Sequence, residues 1–210
     1  MTKIKICGLY RPCDVEYVNQ AQPDWCGFII NFPKSHRNVT PEQARELRSG
    51  LSRHIRPVGV FVDRPPEEVA ALLDDGTLAA AQLHGHEDET YIARLRSLTR
   101  GHPMWSGYEI WKAFKIRGPA DLDAANASTA DLVLLDNGSG TGERFDWSIL
   151  DRPINRPWLL AGGLTPDNIP EAIRALAPWG IDLSSGVETD GRKDPDKIMA
   201  AVAAARRFER

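Results

Sequence analysis

The sequence predicts an α/β protein folded as a single-domain (β/α)8 barrel, and two observations carry this prediction. The first is a series of short apolar runs of four to six residues, each bounded by Gly, Pro, Asn, Asp or Ser, as is typical of buried strands. The second is that helical patterns separate the runs, as crossovers between parallel strands require. We count eight runs, at Ile4–Cys7, Trp25–Ile30, Pro57–Val62, Ala79–Leu83, Ile110–Phe114, Leu132–Leu135, Trp158–Ala161 and Gly180–Leu183.

Helix start signals fall between these runs. In the stretch that begins at Thr40, an N-cap threonine is followed by Pro41 at the first helical position and by Gln43 at the third, which forms a capping box. Helices are predicted over Pro12–Gln20, from Thr40, over Val69–Leu73, over Asp88–Leu98, from Thr165 through Leu176 and over Pro195–Phe208, with weaker patterns at Asp121–Ala127 and Trp147–Leu150.

An open, doubly wound sheet would produce the same alternation of strands and helices. However, no GxGxxG motif follows the first run, and no change in composition divides the chain into halves. These two features favour the closed barrel, and we expect residues 1–210 to form one domain.

Composition narrows the classes of partner. The net charge of −3 includes no basic excess that could neutralise phosphates of a nucleic acid. No apolar run approaches the roughly 20 residues of a membrane helix, and the N-terminus lacks a signal-peptide core. Three cysteines, Cys7, Cys13 and Cys26, suit a reducing cytoplasm better than a disulfide framework. We therefore expect a cytoplasmic protein with a small-molecule substrate and neither a nucleic-acid nor a membrane partner.

In a (β/α)8 barrel the site lies where the strands end. Gly162-Gly163 and Ser184-Ser185-Gly186 follow the seventh and eighth predicted strands, where this fold commonly binds phosphate. Glycines allow close approach of a ligand, and successive N–H groups form an anion nest. The alternative is that these glycines only make tight turns.

Cys7 and Asp136 also stand directly at strand ends. Cys7 is either a small buried hydrophobic residue or, if nearby cations lower its pKa, a competent base or nucleophile. Asp136 opens a glycine-rich stretch that runs to Gly142. This stretch is either a flexible loop with a helix-capping Asp or a mobile lid that begins with a carboxylic acid.

Other polar residues of the rim leave two interpretations open. His84 and His86 form an HxH pair, which is either a metal site or part of a polar rim. The short basic loop that ends at Arg37 is either solvated surface or a site for an anionic substrate, because Arg binds a carboxylate through two donors. Asp63 and Asp182 either line the barrel or serve in capping and hydrogen-bond networks.

Taken in order, the motifs resemble the phosphoribosylanthranilate isomerase family of tryptophan biosynthesis, and they cover nearly the whole chain. The matching segments are Lys5-Ile6-Cys7-Gly8, Pro33-Lys34-Ser35-His36-Arg37, Gly59-Val60-Phe61-Val62-Asp63, Gln82-Leu83-His84-Gly85, Leu134-Leu135-Asp136, Gly140-Thr141-Gly142, Phe145-Asp146-Trp147, Ala161-Gly162-Gly163-Leu164 and Asp182 through Ser184-Ser185-Gly186-Val187-Glu188. The first and last of these together are the most specific.

The resemblance implies a TIM barrel that uses no metal or cofactor. It implies an Amadori rearrangement of N-(5-phosphoribosyl)anthranilate in which Asp136 is the general acid and Cys7 the general base. It also implies that Arg37 binds the substrate carboxylate. The glycine and serine loops suit the phosphate, and Gly138–Gly142 suits a lid that keeps a Schiff base from hydrolysis. Members of the family occur as monomers and dimers.

The sequence departs from the family pattern at two places. Asn31-Phe32 stands where many members have an aromatic pair, and the stretch Gly101–Ile110 is longer than usual. Two alternatives use the same scaffold. One is another phosphate-binding barrel enzyme, such as a sugar-phosphate epimerase that uses a metal at the two histidines. The other is a non-catalytic protein that binds a phosphorylated ligand.

Overall fold

The computed structural model of the chain describes residues 1–99, 107–136, 147, 150 and 152–207. The strands, in chain order, are β1 (Lys3–Cys7), β2 (Trp25–Ile30), β3 (Asn38–Val39), β4 (Arg56–Phe61), β5 (Ala80–Leu83), β6 (Glu109–Lys115), β7 (Leu132–Asp136), β8 (Trp158–Leu160), β9 (Gly180–Leu183), β10 (Glu188–Thr189) and β11 (Arg192–Lys193). Within the described residues, eight of these strands form one parallel barrel. The two-residue strands β3, β10 and β11 are not part of it.

The barrel is closed, because β1 pairs with β2 on one side and with β9 on the other. Every predicted apolar run coincides with one of its strands, so the closed barrel is confirmed and the open sheet is wrong. Between and after the strands lie α1 (Pro12–Ala21), α2 (Pro41–Ser49), α3 (Pro66–Asp74), α4 (Glu89–Leu98), α5 (Pro119–Ala127), α6 (Ile169–Leu176) and α7 (Pro195–Arg206). None of the described helices is long and apolar enough to cross a membrane.

The capping box predicted for the second helix forms as expected. The Thr40 hydroxyl accepts a hydrogen bond from the backbone N–H of Gln43 at 3.2 Å, and the Gln43 side chain accepts from the backbone N–H of Thr40 at 2.8 Å. Of the weak pattern at Trp147–Leu150, only the two end residues are described; the N–H of Leu150 donates to the carbonyl of Trp147 at 3.0 Å, as in a single turn.

Successive side chains of a strand point to opposite faces, so every second residue of each barrel strand points at the barrel axis. Seven buried apolar residues form a cluster of their own inside the lower half of the barrel: Trp25, Val58, Ala80, Trp111, Leu132, Leu134 and Leu159. The rings of Trp25 and Trp111 meet edge to face, with centroids 5.3 Å apart. This cluster is the floor of the barrel, and the opposite faces of the strands pack against the helices.

The same inward-facing positions become polar toward the C-terminal ends of the strands. Nearer these ends, the inward-facing positions are occupied by Lys5 and Cys7 on β1, Gln82 on β5, Asp136 on β7 and Asp182 on β9. The apolar floor therefore supports a polar mouth at the end where sites of this fold lie.

We predict that Trp111→Ala lowers the free energy of unfolding by about 3–5 kcal/mol, because it empties the centre of the floor and removes the contact with Trp25. Urea unfolding followed by circular dichroism measures the change. Met199→Ala is the matched control, since the Met199 side chain is 47 % exposed and its truncation should cost little. A cost as small as that of the control would contradict the assignment of the floor.

Candidate active site

A cavity of about 300 Å³ opens among the C-terminal ends of the barrel strands. It brings together the eight residues that the sequence suggested for catalysis and for binding of the substrate, although they come from five separate regions of the chain. Those lining residues are Cys7, Arg37, Asp136, Gly162, Gly163, Ser184, Ser185 and Gly186. Ile29, Phe32, Val60 and Val62 add apolar surface on the side of β2 and β4.

Cys7 is the last residue of β1, and its side chain lies over a buried ion pair. Two residues earlier, Lys5 is fully buried, and its Nζ lies 3.0 Å from both carboxylate oxygens of Asp182. Burial raises the pKa of the Cys7 thiol, and the nearby ammonium group of Lys5 offsets only part of that effect. Neighbouring cations thus act to lower the pKa of this thiol, as one interpretation of the sequence supposed, but desolvation is the larger effect and the pKa is raised overall.

Asp136, at the end of β7, lies beside His84, which directly follows β5. The Nε2 of His84 is 3.4 Å from Oδ2 of Asp136, and the Nδ1 of His84 is 2.9 Å from the amide nitrogen of Gln82. With the Gln82 amide donating to Nδ1, His84 carries its proton on Nε2 and directs it at an Asp136 carboxylate. With the amide turned over, its oxygen accepts from Nδ1–H, and Nε2 accepts from a protonated Asp136. His84 can thus form a hydrogen bond with Asp136 in either protonation state of the carboxyl group.

The two histidines of the HxH pair do not act together. His84 lines the cavity, whereas the His86 side chain is 96 % exposed and its Nδ1 lies 3.0 Å from Asp63. Among the residues that the structure describes, no group of three or more His, Cys, Asp or Glu side chains is arranged to hold a metal ion.

A second buried ion pair fixes the loop that carries His84. The Nζ of Lys112 lies 2.8 Å from the carbonyl of Gly85 and 3.2 Å from Glu87. The Glu87 carboxylate in turn accepts from the backbone N–H groups of Asp63 at 2.7 Å and Gly85 at 2.8 Å. These contacts join the loops after β4 and β5 to strand β6, so His84 is held from three elements.

The loops after β8 and β9 form the glycine-rich wall of the cavity. Gly162 and Gly163 have φ angles of 90° and 64°, a left-handed pair that favours glycine and turns successive N–H groups the same way. Asn168 ties this loop together, because its side chain donates to the carbonyl of Gly163 at 2.9 Å and accepts from the N–H of Thr165 at 2.8 Å. The arrangement is suited to an anion such as a phosphate.

The β9 loop fits closely against its neighbour. A Cβ atom at Gly186 would lie 1.8 Å from the carbonyl oxygen of Leu164, so only glycine permits this approach. The hydroxyl of Ser184 also donates to the carbonyl of Cys7 at 3.3 Å. The glycine-rich wall is thereby connected to the strand that carries the thiol.

Arg37 is already held by a carboxylate of its own chain. Its Nε and Nη2 each lie 2.6 Å from an oxygen of Glu188, and Glu188 also accepts from the buried Lys193 at 2.6 Å. Burial alone would raise the pKa of Glu188, but hydrogen bonds from Arg37 and the charge of Lys193 outweigh it and hold the pKa below 4.5. One edge of the Arg37 guanidinium, formed by Nε and Nη2, is used in this way.

Strand order sets the arrangement of these groups around the axis. Between β1 with Cys7 and β7 with Asp136 stand β9 and β8, whose loops form the glycine-rich wall. Arg37 follows β2, on the other side of β1, and its stem lies over Gly8, where a Cβ atom would be 2.5 Å from the Arg37 Cδ. The thiol and the carboxyl therefore flank the glycine-rich wall, and Arg37 lies on the opposite side of the thiol.

Sequence reasoning did not single out four residues of this site, namely Lys5, Gln82, Glu188 and Lys193. Two of them carried a signal, because Lys5 precedes Cys7 by two residues and Gln82 precedes His84 by two, so each shares a face of its strand with the residue already noted. Glu188 stands in the last of the matching motif segments but was given no role there, and Lys193 carried no signal, since the contacts of both depend on the folded loop. The stretch Gly138–Gly142, suggested as a lid, lies outside the described residues, as does most of the long segment that follows Thr99.

The comparisons with known proteins agree along the whole chain. The family model of N-(5′-phosphoribosyl)anthranilate (PRA) isomerase matches residues 4–204. The N-(5′-phosphoribosyl)anthranilate isomerase of Thermoanaerobacter sp. (strain X514) is 38 % identical over 212 residues, which cover 98 % of both chains.

Two solved structures are similar as well. A phosphoribosyl anthranilate isomerase in complex with reduced 1-(o-carboxyphenylamino)-1-deoxyribulose 5-phosphate is 31 % identical, with a TM-score of 0.83 over 99 % of this chain and 100 % of that one. Monomers of the dimeric enzyme from Thermotoga maritima are 32 % identical, with a TM-score of 0.83 over the same shares of the two chains.

We predict that Glu188→Gln lowers the free energy of unfolding by about 3–5 kcal/mol at pH 7, because it leaves Arg37 and Lys193 without a buried counter-charge. The folded-state pKa of Glu188 is lowered, so the contribution of this carboxylate is complete above pH 4.5 and is lost as the pH falls through the folded value. Denaturant unfolding at several pH values should show a difference between the two proteins that shrinks below pH 4.5. Exposed Glu46→Gln is the control. A difference that does not change with pH would contradict this account.

Proposed function

Because the chain belongs to the N-(5′-phosphoribosyl)anthranilate isomerase family, we propose that it converts N-(5′-phosphoribosyl)anthranilate into 1-(2-carboxyphenylamino)-1-deoxyribulose 5-phosphate, an Amadori rearrangement in the biosynthesis of L-tryptophan. The observation that carries this proposal is that Cys7, Asp136, the glycine-rich wall and Arg37 all line one cavity. A substrate with a phosphate at one end and a carboxylate at the other fits that order of groups.

The phosphate is assigned to the loops of Gly162-Gly163 and Ser184-Ser185-Gly186, and the anthranilate carboxylate to the Nη1 edge of Arg37. The pairing with Glu188 supports the second assignment, because it fixes the guanidinium plane before the ligand arrives. The apolar side chains of Ile29 and Phe32 lie on the same side of the cavity and suit an aromatic ring.

Asp136 is assigned as the general acid. It gives its proton to the ring oxygen of the ribose, the bond from that oxygen to C1 breaks, and the nitrogen lone pair forms the protonated Schiff base. The neighbouring His84 supports this step, because its Nε2 can accept a hydrogen bond from the acid and donate one to the carboxylate that remains.

Cys7 is assigned as the general base, acting as a thiolate. It takes the proton from C2, and the electron pair of that C–H bond moves toward the Schiff base to give an enolamine. When the enolamine becomes the ketone, one proton is taken up at C1 and one is released from the hydroxyl at C2. Acid and base can thereby return to their starting states, and the chemistry consists of proton transfers.

This assignment requires neither a metal ion nor a cofactor. We further propose that residues 1–210 act as one domain, as a monomer or a homodimer, without a nucleic-acid or membrane partner. The dimeric structure from Thermotoga maritima supports the second state. A cytoplasmic location is supported by the three cysteines, which are all free thiols.

We predict that Cys7→Ser and Asp136→Asn each lower kcat by at least about 100-fold, since each removes one general acid or base. The substrate is generated in situ from anthranilate and phosphoribosyl pyrophosphate with the upstream transferase. Enzyme-dependent loss of anthranilate fluorescence is then followed with EDTA present, and circular dichroism checks the fold. Cys13→Ser is the matched control and should retain the rate. Full turnover in either site variant would overturn the acid–base assignment.

We predict that Gly186→Ala weakens competitive inhibition by inorganic phosphate about tenfold or more, because a Cβ atom there forces the loops after β8 and β9 apart. The inhibition constant is measured in the same fluorescence assay. Gly118→Ala is the control, since nothing lies within 4 Å of a Cβ atom at that position. Equal inhibition of both variants would show that phosphate binds elsewhere.

A further inference from the structure

The proposed acid–base mechanism gives no role to the buried charge of Lys5. Lys5 lies inside the barrel with no exposed surface, beneath the cavity and on the same strand as Cys7. We propose that Lys5 is a positioning residue whose ammonium group, anchored by Asp182, stabilises the thiolate form of Cys7 while this residue acts as the base. The inference rests on the proposed role of Cys7.

Geometry brings the ammonium and the thiol together. Lys5 and Cys7 are two residues apart on β1, so both point toward the axis. Gly27 pairs with Cys7 on the neighbouring strand β2. A Cβ atom at Gly27 would lie 2.7 Å from the Cys7 Sγ and 3.2 Å from the Lys5 Cε, so the two side chains flank one point that only a glycine leaves open.

Asp182 explains why a lysine can stay charged at this depth. An ammonium group without exposed surface loses its proton unless a counter-charge holds it. Both carboxylate oxygens of Asp182 lie 3.0 Å from the Lys5 Nζ. Burial acts to lower the pKa of Lys5, but Asp182 and Cys7 together outweigh it and raise the pKa, so Lys5 keeps its charge.

The other charged groups around the thiol have smaller or opposite effects. Lys193 on β11 also favours the thiolate, although less than Lys5, and it is bound to Glu188 at 2.6 Å. Asp182 on β9 opposes the thiolate, but less than Lys5 favours it. Arg37 lies in the loop after β2, and the charge of Cys7 acts to raise its pKa. His84, which follows β5, acts to lower the pKa of Asp182, whereas Asp136 on β7 acts to raise it.

The test measures the thiol directly, so it does not depend on turnover. In a Cys13→Ser/Cys26→Ala background, Cys7 is alkylated with iodoacetamide over a range of pH, and the midpoint of the rate gives the pH at which thiolate forms. Lys5→Met should move this midpoint up by about one to three pH units. Lys112→Met is the matched control, because Lys112 is also buried and paired with a glutamate but not adjacent to Cys7; its midpoint should not move.

Replacing Lys5 alone leaves Asp182 unpaired, which can prevent folding. The Lys5→Gln/Asp182→Asn double variant then serves the same test, since two amides replace the ion pair. An unchanged midpoint in a folded Lys5 variant would overturn the proposal.

Kinetics separate this inference from the proposed function. In the isomerase assay, the limb of the kcat/KM profile that reports the ionisation of Cys7 should shift upward in Lys5→Met in parallel with the alkylation midpoint. An upward alkylation shift in a protein whose wild type shows no isomerase activity would support the role of Lys5 at the thiol and reject the proposed reaction. An isomerase profile that stays in place while the wild type turns over would reject the inference alone.

Discussion

The site depends on one geometric constraint, which is that the barrel closes with every second side chain pointing at its axis. The axis has room for few side chains, so each inward position must be filled in a way that suits its depth. Trp25 and Trp111 fill the lower end, and above them the chain places Lys5, paired with Asp182. The ion pair is the transition between an apolar floor and a polar mouth, and the thiol lies directly over it.

Charges that are removed from water in this structure occur in partnered groups. Lys5 faces Asp182, Lys112 faces Glu87, and Glu188 lies between Arg37 and Lys193. Such pairs add little to stability when compared with apolar substitutes, because desolvation offsets the attraction. Their value here is positional. Each one fixes a segment that carries a group of the site, respectively the thiol, the His84 loop and the loops around the glycine-rich wall.

Much of the fold was predictable because its signals are local. The eight barrel strands are short apolar runs, and Thr40 and Gln43 cap α2 within four residues of sequence. The pairings of the site are not local, since 177 positions separate Lys5 from Asp182 and 151 separate Arg37 from Glu188. Which strands become neighbours decides such contacts.

Two expectations depended on details beyond the pattern. His84 and His86 differ by two positions and would share a face of a strand, but β5 ends at Leu83 and the chain turns before His86. The pKa of Cys7 depends on the balance between burial and the charge of Lys5, and sequence order shows neither magnitude. The residue types of the site could therefore be predicted from the sequence, while their mutual orientation and ionisation could not.

The balance at Cys7 bears on the general-base role that we propose for this residue. A thiolate that neighbouring cations stabilise strongly is present at neutral pH but takes up a proton weakly, whereas a thiolate in an apolar setting is a strong base that is rarely formed. Proton transfer is most effective when the pKa of the base lies near the working pH. Burial raises the pKa of Cys7, and Lys5 restrains that rise. A lysine paired with Asp182 stabilises a thiolate less than an isolated cation would, and this weaker effect suits a thiol that is proposed to act as a base.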